Sequence, residues 1–430
     1  MPPRGHATAA LLVALLLSAA GCGGGPRDAV RPRAGAAAEL HGLIDARAWF
    51  ELRDALERAA DLPAAERAYF EARRDAVFNR PGRSSERALA ALASGELVPA
   101  QALALRRLLP VNDMRRAAWD DGLASSDELL RLHVDDLPPD ELENLRNTRA
   151  IFAALAGTAP RSVEVEEDFL VAPDADGRIP LLLEGESVAF TIDTGANLSV
   201  AMRSVAERAS LELRPAGITV GTSTGGTVEA DLAVAGELRL GGAVLRNVPF
   251  LVFPDELLSF EGGFRIPGLV GFGELEALGE VRFLQDGSIG VRAAPPANGL
   301  RNMALDGLDA IVTVECLGAP AIARVDTGAN VTVFYEPFLR RHRAAIEAVG
   351  REEAVRTGGV GGVVEIPSWR LPSLTLVLGG EAIELTEVDV YRDPLPRADE
   401  GLLDVNLGRD VLEGREALVL DFRSMSCFVR

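Results

Sequence analysis

Histidine and cysteine are scarce: the 430-residue chain has four of the first and three of the second. His41 and His133 are isolated, with no second histidine or cysteine at a metal-ligand spacing, so a surface or capping role is expected for both. His342 falls in the run Arg340-Arg341-His342-Arg343 and reads as part of a solvated helix face. No metal and no cofactor are expected. Also missing are the G-x-S-x-G elbow, H-E-x-x-H and the G-x-x-x-x-G-K-[ST] phosphate loop, which sets their chemistries aside. Basic charge is short too. With 64 acidic against 44 basic side chains and a formal net charge of −20, a nucleic-acid backbone is repelled unless a local basic patch overrides the average. No such patch with interleaved aromatics is present, and no nucleic-acid partner is expected.

An apolar run from Ala7 to Leu17 follows Arg4 and leads into Ser18-Ala19-Ala20-Gly21-Cys22. It is too short to span a bilayer and reads as a signal peptide over 1–22. Small residues directly before a cysteine fit a bacterial lipoprotein cleavage site, which would leave Cys22 as the lipid-bearing first residue of the mature chain. Ala19 stands where such sites usually carry Leu, and the other reading is an ordinary secretory signal with Cys22 incidental. Gly23 lacks the acidic character that often retains lipoproteins at an inner membrane. An outer-membrane anchor facing the periplasm is therefore favoured in a cell with two membranes. Cys316 and Cys427 both fall in expected strands, where export permits a disulfide and two buried free thiols are the simpler reading.

The chain is long enough for two or three units that each bury a core. Residues 23–38, rich in Gly, Pro, Arg and Ala, read as a flexible tether. Over 39–158 the periodicity is helical: Trp49, Leu52 and Leu56 share a face, and Tyr69 with Ala76 and Phe70 with Val77 recur two turns apart. Further helical runs are expected near Glu86–Ala93, Pro99–Leu109, Asp127–Leu132 and Glu141–Leu155, separated by breaks at Pro81-Gly82, Pro110 and Pro138-Pro139. The Ala-rich faces are weakly tetratricopeptide-like without that family's clean spacing. Packing, or docking of a protein partner, is the expected role of this domain.

After Ala159-Pro160 the pattern switches to strands punctuated by turn residues, and an order of elements appears twice, in 159–292 and 303–430, with 293–302 as linker. Each copy has a hairpin running into the pentapeptide DTGAN, at Asp193–Asn197 and Asp326–Asn330. A helix-like run follows (Val200–Leu211; Phe334–Val349), then a glycine-rich turn (Gly221–Thr227, GTSTGGT; Gly358–Gly362, GGVGG) and a further hairpin. Each ends in an apolar pair before glycine, Leu269-Val270-Gly271 and Asn406-Leu407-Gly408, at nearly equal distances from the preceding aspartate. Asn406 makes the second less regular, because it replaces an apolar residue.

These residues, over about Val163 to Arg430, resemble the retropepsin-like aspartic proteases, in a bacterial lipoprotein form with an N-terminal helical part. The resemblance implies a multidomain α + all-β fold, a helical array followed by a bilobed β domain with two protease-type lobes in one chain. It implies an aspartic endopeptidase acting on a peptide or protein substrate, with Asp193 and Asp326 as the catalytic carboxylates. Two carboxylates sharing one proton can deprotonate a water on one side and protonate the peptide carbonyl on the other. Thr194 and Thr327 would bridge the active-site loops, Gly195 and Gly328 would let backbone N–H groups approach the carboxylates, and Ala196 and Ala329 match the retroviral-type pattern. Thr224, Gly225 and Gly226, with Gly359, Val360 and Gly361, would lie on flaps closing over an extended peptide. Neither turn carries the Tyr of single-chain pepsin-like flaps, a feature that paired retroviral-type flaps also lack. A monomer with the dyad formed in cis is expected. Two other arrangements stay open: pairing of repeats across two chains, and a catalytically silent bilobed binding or assembly lipoprotein working through its helical domain.

Overall fold

The computed structural model describes residues 10–11, 35–221, 227–260, 263–294, 299–359, 362–394 and 403–430. Cys22 and the remainder of the expected signal peptide and tether, apart from 10–11 and 35–38, lie outside these residues. Among the described residues no helix is long and apolar enough to cross a membrane.

Helices α1 (Ala36–Asp45), α2 (Trp49–Arg58), α3 (Ala64–Val77), α4 (Pro81–Ser94), α5 (Pro99–Arg115), α6 (Trp119–His133) and α7 (Pro139–Leu155) precede the β region. In α2 the buried residues Trp49, Leu52, Ala55 and Leu56 form one apolar stripe, and in α3 Tyr69, Phe70, Ala76 and Val77 are buried together with Arg73 and Asp75. The expected breaks near Pro81 and Pro138-Pro139 are present, with Pro81 and Pro139 as the first residues of the helices that follow. In the first turn proline's missing N–H has no intrahelical partner to lose. Pro110 does not end its helix: α5 runs through it to Arg115 and buries it between Leu109 and Met114, so packing on both sides outweighs the lost backbone bond. His41 is half-buried against the Tyr69 and Phe70 rings, 5.5 and 4.8 Å between centroids.

The first lobe is a sheet whose strands run in the order Ser162–Val165, Ala243–Phe253, Ser199–Met202, Gly268–Val270, Glu186–Ile192, Ile179–Leu183, Thr227–Leu240 and Arg214–Gly221. Pairing of Thr227–Leu240 with Ala243–Phe253 curls it back on itself. In the second lobe the order is Arg351–Gly359, Gly362–Leu378, Glu381–Tyr391, Val333–Phe334, Val405–Leu407, Ala319–Val325, Asp309–Cys316 and Met303–Asp306, with Ala10–Leu11 paired outside the first of these. Gly362–Leu378 also pairs with Asp309–Cys316. In both lobes the strand entering DTGAN lies parallel to the short apolar-Gly strand, Thr191 opposite Leu269 and Arg324 opposite Asn406.

The expected helix-like runs are shorter than drawn from sequence. Ser199–Met202 is a strand and only Arg203–Arg208 (α8) is helical, while the second lobe has Glu336–Val349 (α10). Between them, α9 (Phe272–Leu278) follows Gly271. On α10 His342 is not solvated: it is half-buried with its ring 4.6 Å from that of Phe338, and burial first, then the charge of Arg341, lowers its pKa. Cys316 and Cys427 are buried free thiols, pushed up to about 11 and about 12 by burial.

A third sheet joins the lobes. Its order is Ser426–Val429, Ala417–Asp421, Glu280–Leu284, Ile289–Arg292 and Phe169–Val171, so strands of the second lobe pair directly with strands of the first, Glu280 opposite Asp421 through Leu284 opposite Ala417. Phe272 and Phe422 pack edge to face across this junction at 5.6 Å.

The helices touch both lobes. Arg115 is almost fully enclosed, donating to Glu276 on α9 at 3.0 and 3.2 Å, to the Ala76 carbonyl at 2.6 Å and to Asn79 at 2.7 Å. Asn79 in turn donates to the Phe422 carbonyl at 2.9 Å. On α7, Asn147 Oδ1 accepts from the Thr219 N–H at 3.1 Å, on the outer arm of the first lobe's glycine-turn hairpin. Replacing Arg115 by Ala leaves the half-buried Glu276 without its cation, an expected loss of about 1–3 kcal/mol. Urea unfolding followed by circular dichroism checks this: an earlier midpoint for Arg115→Ala is expected, and an unchanged one contradicts an anchoring role.

Candidate active site

Each DTGAN loop is shaped by hydrogen bonds made at equivalent places. The Asp193 N–H donates to the Val270 carbonyl at 3.0 Å, and the Asp326 N–H to the Leu407 carbonyl at 2.9 Å. Past each glycine the chain returns to the loop: the Phe272 N–H donates to the Ala196 carbonyl at 2.7 Å and the Arg409 N–H to the Ala329 carbonyl at 2.9 Å. A hydroxyl just beyond each motif completes the scaffold. Ser199 Oγ accepts from the Gly271 N–H at 3.0 Å and donates to Glu274 at 2.5 Å, whereas Thr332 Oγ1 accepts from the Gly408 N–H at 3.0 Å and donates to Asp410 at 2.6 Å. The crossing is so close that a Cβ on Gly408 would lie 2.4 Å from Val331 C, and one on Gly271 2.7 Å from the Ala196 carbonyl oxygen.

The two loops interlock. Thr194 Oγ1 donates to the Val325 carbonyl at 2.7 Å and accepts from the Thr327 N–H at 3.0 Å. Thr327 Oγ1 donates to the Ile192 carbonyl at 3.2 Å and accepts from the Thr194 N–H at 3.1 Å. Four hydrogen bonds thus tie the strand ends of the two lobes back to back in a buried setting, where an unmade one costs its full desolvation.

This brings Asp193 and Asp326 together at 0% and 2% exposure. A Cβ on Gly195 would lie 2.8 Å from Asp326 Oδ1 and 3.2 Å from Asp193 Oδ1, and one on Gly328 2.5 Å from the Asp193 carboxyl. Each glycine therefore passes where a side chain would displace a carboxylate. The Gly195 N–H donates to Asp193 Oδ1 at 2.8 Å, and the Gly328 and Ala329 N–H groups each to Asp326 Oδ1 at 3.1 Å. Burial, then the adjacent charge of Asp326, holds the Asp193 carboxyl well above its ordinary value, against the opposing pull of the Gly195 N–H and Arg324. Ala196 and Ala329, within the loops, are fully buried.

Three polar residues at this site did not figure among the sequence candidates. Asn406 Nδ2 donates to Asp326 Oδ2 at 3.0 Å, and Arg324 Nε donates to Asn406 Oδ1 at 2.8 Å. Arg409, half-buried beside the loops, donates to Asn330 Oδ1 at 2.7 Å; burial lowers its pKa while the Asp193 and Asp326 charges act to raise it. The irregular Asn406 was the available signal for the first two, since comparing the repeats position by position sets Arg324 against Thr191 and Asn406 against Leu269.

Of the expected flap residues, Thr224, Gly225, Gly226, Val360 and Gly361 lie outside the described residues. Gly359 ends its strand opposite Gly362. Among the described residues no group of three or more His, Cys, Asp or Glu is placed to hold a metal ion.

A family model described as Aspartyl protease matches residues 179–273, from the first hairpin through the Asp193 loop and past Gly271. Among solved structures, a retropepsin-like aspartic protease from Rickettsia conorii is similar, at 18% identity over 31% of this chain and 95% of that chain, with a TM-score of 0.21. No curated protein matches. The family match supports an aspartic protease.

A carboxyl whose pKa is raised on folding binds a proton more tightly in the native state, so it favours folding below its ordinary value and this contribution is lost as pH rises above it. For Asp193 that loss starts near 3.8. Asp113, pushed up to about 6 by burial, acts in the same direction from the helical domain, so the informative comparison is between variant and wild type. Asp193→Asn is expected to raise the melting temperature at neutral pH and to flatten its decline from acid to neutral. A lower neutral melting temperature in the variant would contradict the strained carboxylate.

Proposed function

We propose that this chain is an aspartic endopeptidase that hydrolyses peptide bonds with a water activated between Asp193 and Asp326, anchored in a bacterial cell envelope through a lipid on Cys22. The observation that carries the catalytic reading is the reciprocal Thr194–Thr327 interlock, which holds two buried carboxylates of one chain in a shared setting. Like charges this close keep one proton between them, and the ionisation steps belong to the pair.

In that state the ionised carboxylate takes a proton from the water as its oxygen bonds to the peptide carbonyl carbon. The protonated carboxyl gives its proton to the carbonyl oxygen, producing a neutral tetrahedral diol. Collapse breaks the C–N bond, the nitrogen receives the proton held by the first carboxylate, and one diol hydroxyl returns its proton to the second. The dyad is regenerated with no covalent intermediate. Buried backbone donors at Gly195, Gly328 and Ala329 fix both carboxylates without reorganisation during the reaction. Both carboxylates come from one chain, so the working unit in this reading is a monomer.

Asp193→Asn and Asp326→Asn are each expected to lower cleavage of an unfolded protein by about 10²–10⁴-fold or more while the chain still folds. Full activity in either variant would remove the shared-dyad mechanism. Activity in a mildly acidic range, proportional to protein concentration on dilution, is expected alongside. For the anchor, Cys22→Ser is expected to move the protein from the membrane fraction to the soluble periplasm. Retention with the membrane would contradict lipidation at Cys22.

A further inference from the structure

We propose that Asn406 and Arg324 are positioning residues that make the two carboxylates unequal, fixing the negative charge on Asp326 and the shared proton on Asp193. This rests on the endopeptidase reading above.

The duplicated fold supplies an internal comparison. Thr191 and Arg324 sit two residues before the two aspartates, opposite Leu269 and Asn406 respectively on the apolar-Gly strands. In the first lobe this cross-strand pair is uncharged and one member is apolar. In the second it is a guanidinium against an amide.

Arg324 can only donate hydrogen bonds, so the Asn406 atom facing its Nε at 2.8 Å must be the carbonyl Oδ1. The amide is thereby turned with Nδ2 towards Asp326 Oδ2, 3.0 Å away. Arg324 Nη2 stands 3.8 Å from the same oxygen. Asp326 Oδ1 accepts from two backbone N–H groups. Both oxygens of Asp326 therefore face donors, and a proton on Oδ2 would point at the amide N–H of Asn406.

Asp193 is the opposite case. Its Oδ1 side takes the Gly195 N–H, with the Ala196 N–H also acting on the carboxyl, as Gly328 and Ala329 do on Asp326, while its buried Oδ2 has no hydrogen-bond partner among the described residues. That oxygen can carry a proton without displacing any donor. The charged groups around the pair divide. Arg324 stands 3.8 Å from Asp326 Oδ2, with Asp309 3.9 Å from its guanidinium, and also pulls on Asp193. Arg409 acts on both carboxylates and on Asp193 first, so the inequality rests on the donors facing each Oδ2. In the reaction Asp326 is then the base that takes the water proton, and Asp193 the acid that protonates the carbonyl oxygen.

Asn406→Leu restores the chemistry of the first lobe at this place. Losing one donor to a charged carboxylate is expected to move the acidic limb of kcat/KM upward by about one to two pH units. Arg324→Thr is expected to move it the same way, and Arg324→Lys, which keeps the charge, by clearly less. A merely structural role would lower the melting temperature or the plateau and leave the limb in place, and that result in folded variants overturns the proposal.

A second readout needs no turnover: carboxyl carbon-13 titration of the substrate-free full chain, with Asp193 and Asp326 assigned through their Asn variants. Asp326 is expected at its ionised position and Asp193 at its protonated one when the pair holds one proton. Equal sharing in the wild type would overturn the proposal even if Asn406→Leu fails to fold. If the spectra show the inequality but no unfolded protein is cleaved, the endopeptidase reading fails and this assignment stands. If cleavage occurs with equal sharing, only this assignment fails.

Discussion

Two carboxylates buried against each other oppose their own assembly, because two unit charges about 4 Å apart repel by about 4 kcal/mol even at an effective dielectric of about 20. A site of this kind can relieve that repulsion by opening or by taking up a proton. In this chain opening is resisted on several sides. The Thr194 and Thr327 hydroxyls bridge the loops, Gly195 and Gly328 leave no side chain to separate the carboxylates, and a five-stranded sheet built from both lobes clamps the base. Proton uptake is the cheaper response, and it is the state a water-activating dyad requires.

Below the dyad, the lobes repeat one scaffold with different chemistry. Ser199 and Glu274 in the first lobe do the work of Thr332 and Asp410 in the second, each hydroxyl linking its apolar-Gly strand to an acid just beyond. Glu274 also takes Arg161, 3.2 Å away, from the segment leading out of the helices. Together with Arg115 and Asn147, this makes the helical domain a brace on the first lobe, from α9 under the catalytic loop to the outer arm of the glycine-turn hairpin. The bilobed unit and the helices are thus mechanically connected at α9 and at the outer arm of that hairpin.

The helical-plus-bilobed architecture was legible in the sequence because DTGAN and the elements around it occur twice in the same order. The misread details have local causes. The breaks at Pro81 and Pro139 are present but fall just before these residues, because a proline reads the same whether it ends one helix or begins the next. Pro110 was outweighed by burial that no local pattern displays. Val200–Leu211 looked helical as a whole, yet Ser199–Met202 is drawn into the sheet by pairing with Gly268–Val270 and Ala243–Phe253, partners far away in the chain. Arg324 was hidden for a related reason: a charged residue in a strand usually faces solvent, and only its pairing with Asn406 turns it inward.

Water activation by this pair requires that one proton be held between Asp193 and Asp326. Potentiometric titration of the wild type against the Asp193→Asn, Asp326→Asn double variant measures this without any substrate. At about pH 5, above the ordinary carboxylate range, the wild type should carry close to one proton more than the pair-free variant. A difference near zero, meaning two independently ionised carboxylates, would contradict the account.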